Sequence, residues 1–320
     1  MKSLVDLIRF KRTFETCLAQ LKLDKDISDE QRNVNAVHAE YTISDYDSDF
    51  YNISNSYNEL LLGRARITEE LTKLVEKITF DIENTGREIS QLLVDQGSLK
   101  DKIIPLDLPT NADIDQFLFT RISGYADWKY PGLLLNFIYS PHYDLTKPQP
   151  VIDSMVALDP LYLVGKDTSI LINSTKCYPG IYQNRIRFYE IADPEFSILP
   201  QAQFGFVLCW NFLNHQPVDQ IELYLKNIFN LLRPGGVLMF SYNNGHIESV
   251  AGIVDHRQLY WCSKTIINDL ATAIGYEVIK FTDMEVGDDL KSWTSSAELK
   301  RPGQLSTAKR SQSMGKIQKK

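Results

Sequence analysis

The sequence predicts an α/β protein in which helices cover both faces of a parallel β-sheet. From about residue 120, short apolar runs bounded by turn residues alternate with segments of helical periodicity. Such alternation is typical of strands that are buried on both faces. The region before residue 120 is helical in pattern, and the C-terminal residues lack apolar periodicity. With 43% hydrophobic and 23% charged residues, the chain of 320 residues has a globular composition, which excludes a disordered or collagen-like protein.

Residues 1–120 are predicted to form a helical arm with coiled-coil character. Residues 3–23 have apolar residues near heptad spacing, with Ser3 as a candidate N-cap. Residues 59–96 carry a narrow apolar stripe, which favours a coiled coil or a helical hairpin with the first segment. An ordinary amphipathic helix packed on its own domain fits the same pattern. Residues 24–58 lack a steady apolar period and are predicted to be loop.

Residues 121–285 are predicted to form the α/β domain. Five apolar runs are candidate strands: 132–139, 153–159, 184–191, 204–211 and 235–243. Residues 218–232 and 265–275 have helical periodicity, and Gly275 closes the second of these segments. A further strand is predicted at 276–284.

Residues 286–320 are predicted to be an extended basic tail. Residues 300–320 hold seven Lys or Arg and no acid, although the whole chain has a net charge of −7. The rest of the chain carries 27 basic and 41 acidic residues, a net charge of −14. We therefore expect the acidic body to repel nucleic acid, whereas the tail could bind an acidic surface or nucleic acid. A solvated segment that aids solubility is the alternative explanation of the tail.

The cysteines and the apolar runs exclude several protein classes. Four scattered cysteines without a CxxC pair favour reduced intracellular thiols over a disulfide framework or a zinc site. No stretch approaches the ~18 apolar residues of a membrane span, and the N-terminus has no secretory signal pattern. We therefore expect a cytoplasmic protein with no membrane partner.

Residues 184–243 carry the strongest chemical signal. In chain order they show a strand leading to an acid, a Leu-Pro pair, a second strand, a histidine, a helix and a Gly-Gly turn before a third strand. The residues at these positions are Asp193, Leu199-Pro200, Phe204–Asn211, His215 and Leu232–Gly236. In the turn, Arg233 favours a helix C-terminus, Pro234 stops the helix, and the two glycines permit a tight reversal into a strand.

This ordered set resembles the second half of a class I S-adenosylmethionine-dependent methyltransferase domain, and the resemblance implies a Rossmann-like fold. It also implies that an acid ending the second strand binds the cofactor ribose, because a carboxylate offers two acceptor oxygens. Met155–Asp159 matches that strand, so Asp159 is the candidate ribose ligand. Asp193 would lie by the adenine amino group, and Asn211 is the third candidate cofactor contact. A turn at Asp159 and a cap at Asp193, each before a proline, are the alternative explanations.

The resemblance fails after the first strand. The family has a glycine-rich loop there, because glycines let the backbone approach the cofactor closely. Here residues 133–144 contain no glycine, and Tyr139, Pro141 and Tyr143 put bulk where the loop would be open. We therefore expect the methionine end of the cofactor to be crowded out.

Three functional hypotheses follow. The preferred one is a structural or assembly component without a cofactor, built on a degenerate methyltransferase-like domain. A helical arm, such a domain and a basic C-terminus together resemble proteins of tailed, in particular marine, bacteriophages, which implies a location in the host cytoplasm and the virion. Its partners would be other protein subunits, bound through the arm and the tail. The alternative is an active S-adenosylmethionine-dependent methyltransferase with a divergent loop. The third is a nucleic-acid adaptor that binds through the tail.

Few other residues suggest catalysis. His215 is a candidate general base, although a lone histidine after a strand is more often structural. Tyr242–Asn244 could face a methyl acceptor. The histidines and cysteines have no metal-ligand spacing, and the sequence lacks the GxxxxGK[ST] and GxSxG motifs. No metal is therefore predicted.

Overall fold

The computed structural model describes residues 3–19, 47–95, 112–125, 129–135, 150–155, 157–165, 168–191, 194–256, 259–286 and 292–303. The chain divides into two compact units, Met1–Glu88 and Ile89–Lys320. This division differs from the boundary predicted at residue 120. The difference arises because Ile89 and Leu93, at the end of a long helix, are buried as part of the second unit.

The first unit is helical. Helix α1 covers residues 4–19, and helix α2 spans Asp47–Asp95 and continues into the second unit. Both predicted helical segments are confirmed over these residues. The predicted loop is wrong for residues 47–58, which belong to α2. The coiled coil stays a prediction.

The second unit is built on a seven-stranded sheet with the order β3-β2-β1-β4-β5-β7-β6. Its strands are β1 (Gly132–Leu135), β2 (Leu161–Gly165), β3 (Ile186–Glu190), β4 (Phe204–Cys209), β5 (Leu232–Tyr242), β6 (Glu277–Val286) and β7 (Ser292–Lys300). The five strands from β1 to β5 all run parallel to one another. β7 runs antiparallel to both of its neighbours, β5 and β6. The predicted α/β class is therefore confirmed, with one reversed strand.

Seven helices are described in the second unit besides the end of α2. They are α3 (Ala112–Ser123), α4 (Pro150–Ser154), α5 (Thr168–Thr175), α6 (Gly180–Gln183), α7 (Val218–Leu231), α8 (Glu248–Asp255) and α9 (Lys264–Ile274), with a 3₁₀ turn at Leu213–His215. α3 packs on the sheet through Leu118 and Ile122, which share one hydrophobic cluster with Leu134 of β1 and Met239 of β5. α7 and α9 confirm the helices predicted at 218–232 and 265–275.

The predicted end of a helix at Gly275 is confirmed, whereas the turn predicted at Leu232–Gly236 is wrong, because these residues already belong to β5. α9 begins where the Ser263 hydroxyl accepts a hydrogen bond from the Ile266 amide, and it ends at Gly275, whose φ is 104°. Near the start of β5, Gly235 has a φ of 82°, where the register with β4 shifts between Phe204 and Phe206. A Cβ on Gly236 would lie 2.7 Å from the Phe204 carbonyl oxygen. Glycine is therefore needed at both positions, for backbone conformation at the first and for close approach at the second.

The second strand lies later in the sequence than predicted. Residues 150–154 are helical, and Met155 and Leu158 are buried in turns within the core. The strand is Leu161–Gly165. The Pro160 carbonyl accepts from the Gly132 amide at 3.1 Å, at the start of β1. The assignment of Met155–Asp159 to a strand is therefore wrong, because this apolar run is buried as helix and turn.

The predicted tail contributes a strand to the interior of the sheet. β7 lies between β5 and β6, and the Lys300 ammonium pairs with the Glu277 carboxylate at 3.1 Å. The Arg301 guanidinium donates to the Leu232 carbonyl at 2.6 Å. The extended tail predicted from residue 286 is therefore wrong as far as Gly303, and residues 304–320 lie outside the described residues.

Within the described ranges, none of the helices combines the length and the hydrophobicity that a membrane span requires.

Candidate functional site

The order of the strands marks one edge of the sheet. From β1 the chain builds outward to β2 and β3, and then returns to the other side of β1 with β4 and β5. In open parallel sheets, ligands bind outside the carboxyl ends of the strands where the order reverses. That point lies between Leu135, which ends β1, and Cys209, which ends β4.

Asn211 stands at this edge in an unusual conformation. Its φ is 54°, in the left-handed region. Its backbone amide donates a hydrogen bond to the Ser241 hydroxyl at 2.7 Å. Its side-chain Oδ1 is buried and has no hydrogen-bond partner among the described residues. A strained backbone and an unpaired buried acceptor at the carboxyl end of a strand are features that accompany functional sites.

A buried polar network holds Asn211 in place. The Ser241 hydroxyl donates to Asn214 Oδ1 at 2.6 Å. Asn214 Nδ2 donates to Asn243 Oδ1 at 3.1 Å, and Asn243 Nδ2 donates to the Asn214 carbonyl at 2.6 Å. The ends of β4 and β5 are thus joined by side-chain hydrogen bonds. The network fixes the backbone of the connection after β4.

Helix α3 approaches the same edge. The ring of Phe117 lies 6.5 Å from that of Trp210, the residue before Asn211. After α3, the Tyr125 ring stacks on Phe206 of β4 at 5.7 Å. α3 therefore covers β4 up to its carboxyl end.

A buried ion pair ties α3 to β7. The Arg121 guanidinium binds both carboxylate oxygens of Glu298, and the Tyr125 hydroxyl donates to the same carboxylate. Burial, followed by the hydrogen bond to Glu298, raises the pKa of Tyr125 to about 12. Tyr125 therefore stays a neutral donor at physiological pH.

The residues after β5 form a separate contact with the end of α2. The Trp261 amide donates to the Ser90 hydroxyl at 2.7 Å. The Trp261 indole packs on Gly245, where a Cβ would lie 1.9 Å from Nε1.

Tyr242, Asn243 and Asn244, the predicted acceptor-facing residues, are all buried. Burial first, and then Asp283, raises the pKa of Tyr242.

The predicted cofactor residues have different outcomes. Asn211 lies at the expected edge. Asp159 precedes β2, its amide donates to the Tyr130 carbonyl at 3.2 Å, and its carboxylate lies 3.5 Å from Arg185 Nε. Asp159 therefore lies at the amino end of the sheet. The ribose role was predicted for an acid that ends the second strand, and Asp159 does not end it. Asp193 and the loop residues 139–143 lie outside the described residues.

His215 ends the 3₁₀ turn after β4. Burial lowers the pKa of its imidazole. His215 is therefore neutral at pH 7 and can accept a proton, as a general base must. Within the part of the chain that the structure describes, no group of three His, Cys, Asp or Glu side chains could hold a metal ion.

Sequence reasoning missed several residues. Ser241, Asn214 and Glu298 acquire their partners only through the sheet, so no local pattern marks them. Asp167 follows the end of β2 by two residues in the sequence and lies outside the described residues.

Comparison with known proteins supports the fold. Residues 131–281 match the family model described as a methyltransferase domain. The match begins just before β1 and ends within β6. Together with the strand order, it identifies a Rossmann-like fold of the methyltransferase type. No curated protein matches the chain.

Several solved structures are similar to this chain. N-methyltransferase NodS from Bradyrhizobium japonicum WM9, in complex with S-adenosyl-l-homocysteine, is 14% identical over 67% of this chain and 98% of its own, with a TM-score of 0.46. Magnesium protoporphyrin IX methyltransferase (ChlM) from Synechocystis PCC 6803 is 11% identical over 59% of this chain and 83% of its own, with a TM-score of 0.43. A SAM-dependent methyltransferase from Methanosarcina mazei is 12% identical over 57% and 98%, with a TM-score of 0.43.

Proposed function

We propose that this protein is an S-adenosylmethionine-dependent methyltransferase. The observation that carries the proposal is the coincidence of two features at one edge. The methyltransferase-domain match covers β1 to β5. Asn211 lies at the carboxyl edge of β1 and β4. Its strained backbone and its unpaired buried oxygen are features of a ligand-binding position. The alternative function drawn from the sequence thus replaces the preferred one.

The residues at this edge suit the cofactor. Asn211 Oδ1 can accept a hydrogen bond from an N–H or O–H group, and the network through Ser241 keeps it in position. For the ribose, Asp167 replaces Asp159 as our candidate, because it follows β2 in the sequence. S-adenosylmethionine supplies a methyl group on a sulfonium centre that a nucleophile can take.

His215 is our candidate for the proton transfer that methylation of a protonated nucleophile requires. It follows β4 by a short turn, and its neutral imidazole can accept a proton. Its backbone amide donates to the Phe212 carbonyl at 3.1 Å, which fixes the start of the side chain.

Calorimetric titration of the full chain with S-adenosylhomocysteine tests the proposal. We expect saturable binding to wild type and weaker binding to Asp167→Asn and Asn211→Ala. Asp159→Asn is the matched control, which should bind like wild type because Asp159 lies at the opposite edge. Absence of binding to wild type contradicts the proposal. Loss of binding in Asp159→Asn alone would restore the first assignment of the ribose ligand.

The particle component and the nucleic-acid adaptor stay predictions. The domain match supports neither, and the basic residues that motivated the adaptor include Lys300 and Arg301, which are occupied within the fold. Contacts of the helical arm with other subunits likewise remain a prediction.

A further inference from the structure

Three hydroxyl side chains form a row across three strands, and Asn211 joins this row through its backbone amide. We call Asn211, Ser241, Ser296 and Thr282 the polar row. The Asn211 amide binds the Ser241 hydroxyl of β5. Ser241 is the register partner of Ser296 in β7, and Ser296 is the register partner of Thr282 in β6. Side chains at register partners point to the same face of a sheet, so the three hydroxyls are neighbours.

The polar row lies on the face that α3 covers. Met239 precedes Ser241 by two residues and therefore shares its face. Met239 packs in the same hydrophobic cluster as Leu118 of α3. Glu298, which binds Arg121 of α3, is the register partner of Met239. The hydroxyls are thus one step along the strands from the Arg121–Glu298 ion pair, toward the carboxyl end of β5.

Three of the four members have an unsatisfied polar atom. Asn211 Oδ1, Ser296 Oγ and Thr282 Oγ1 are buried, and among the described residues none of them has a hydrogen-bond partner. Ser241 differs, since its hydroxyl accepts from Asn211 and donates to Asn214. Buried polar atoms without partners destabilise a fold, and native proteins keep few of them. Asn211 Oδ1 is our candidate cofactor contact, and the two unpaired hydroxyls in the adjacent strands β7 and β6 point to a second ligand.

The three hydroxyls of the polar row lie outside the cofactor crevice, and Asn211 stands where the two meet. The crevice lies between β1 and β4, whereas the row runs from the end of β4 away from β1, over β5 and β7 to β6. A molecule in the row would therefore lie beside a cofactor bound at the switch point. That is where a methyl acceptor has to approach.

The chemistry of the row selects a neutral polar group. The Ser296 and Thr282 hydroxyls can each donate or accept a hydrogen bond. The carboxylate nearest in register, Glu298, is already neutralised by Arg121, so it gives the row no preference for a cation. A group with both an N–H or O–H donor and an acceptor oxygen meets these requirements.

We propose that the polar row binds an uncharged amide- or hydroxyl-bearing part of the methyl acceptor. The role as an acceptor subsite rests on the proposed methyltransferase function, whereas the binding of a neutral polar group does not.

Thermal unfolding of single variants tests whether the hydroxyls are unpaired. Thr282→Val and Ser296→Ala remove buried hydroxyls without partners, so each should raise Tm by about 2–4 °C. Ser241→Ala is the matched control from the same row, and it should lower Tm because its hydroxyl has two partners. A lower Tm in all three variants would mean that Thr282 and Ser296 are paired in the protein, which overturns the proposal.

Protein-observed NMR with acetamide tests ligand binding. Acetamide carries both a donor and an acceptor, and acetate is a probe of the same shape without the donor. We expect acetamide at high concentration to shift the backbone amide signals of Asn211, Ser296 and Thr282 in wild type. Acetate should not shift them, and Thr282→Val/Ser296→Ala should lose the acetamide response. Equal responses to both probes, or a response that survives in the double variant, contradict the proposal.

Titration of the double variant with S-adenosylhomocysteine separates the two proposals. We expect the same affinity as for wild type, because the polar row lies beside the cofactor crevice. If neither protein binds this cofactor product while acetamide still binds in the row, the methyltransferase proposal fails and the neutral polar subsite stands. If both bind it without any acetamide response, the reverse holds.

Discussion

Arg121 of α3 and Glu298 of β7 form a bidentate ion pair across 177 residues of sequence, with Nε–Oε1 and Nη2–Oε2 distances of 2.7 and 2.5 Å. The Glu298 side chain is 1% exposed, whereas that of Arg121 is 31% exposed. The pair thereby fixes α3, which precedes β1, to β7, which comes last among the strands of the sheet along the chain. Since α3 also contacts Trp210 beside Asn211, this pair helps to define the candidate site.

Removal of Arg121 should strongly destabilise the protein. Arg121→Met leaves the buried Glu298 carboxylate without its cation, and we expect the free energy of unfolding to fall by about 3–5 kcal/mol. Glu298→Gln should cost less, because the Arg121 side chain can reach water. Urea unfolding followed by circular dichroism measures both changes.

The double variant Arg121→Met/Glu298→Leu is the control for this prediction. A well-packed apolar pair often replaces a buried ion pair without loss, so the double variant should be more stable than Arg121→Met alone. A double variant that is as unstable as the sum of the two single variants would contradict the explanation by an unpaired buried charge.

Two glycine substitutions should have opposite effects. Gly63 lies inside α2, and nothing lies within 4 Å of a Cβ added there, so Gly63→Ala should stabilise the helix by about 1 kcal/mol. At Gly236 the added Cβ would lie 2.7 Å from the Phe204 carbonyl oxygen, so Gly236→Ala should destabilise the sheet by about 1–3 kcal/mol. Thermal unfolding of both variants checks the two signs. A neutral Gly236→Ala would show that the start of β5 can move away from Phe204 of β4.

The stability of the protein should fall steeply in alkali. The pKa of Tyr125 rises from 10.0 to about 12 on folding, so between these pH values the unfolded chain has lost a proton that the folded chain retains. The free energy of unfolding therefore decreases as the pH rises through this window. Tyr125→Phe should flatten part of that decrease, because the titrating group is gone. Denaturant unfolding of both proteins at a series of alkaline pH values measures the slope, and identical slopes would refute the assignment.

His215 should make the protein less stable in mild acid. In the folded state, burial lowers the pKa of His215 below the ordinary value of 6.5. As the pH falls below 6.5, the unfolded chain therefore takes up a proton before the folded chain does. The free energy of unfolding therefore declines with falling pH. In His215→Gln this component should be missing. Unfolding experiments with both proteins between neutral and mildly acidic pH provide the comparison, and an unchanged pH dependence would show that His215 is not the group responsible.

Local sequence patterns predicted the elements around β4 well. β4 is a continuous apolar run, α7 has clear helical periodicity, and the glycine at position 236, near the start of β5, has a steric cause. The second strand was misplaced because two apolar runs stand side by side, and only one of them forms a strand. Met155 and Leu158 fill the core from a turn, which periodicity cannot distinguish from a short buried strand.

β7 shows why other parts could not be predicted. Its residues Ser295, Ser296 and Glu298 are polar, yet each is about 1% exposed. Glu298 obtains its partner from α3, and Ser295 donates to Asp283 of β6. These partners are distant in sequence, so the strand has no local signal, and strand formation depends on the tertiary neighbours. The candidate site shares this property in part, because Asn211 was a candidate from the sequence, whereas Ser241, which accepts from its backbone amide, has no local signal.

A crystal structure of the full chain with S-adenosylhomocysteine would decide where the cofactor lies. We expect the ligand between the carboxyl ends of β1 and β4, with Asn211 Oδ1 within hydrogen-bond distance of one of its N–H or O–H groups. The opposite result is a crevice filled by Tyr139, Pro141 and Tyr143 with the ligand absent or bound elsewhere, and it would return the protein to the class of scaffolds that have lost their cofactor.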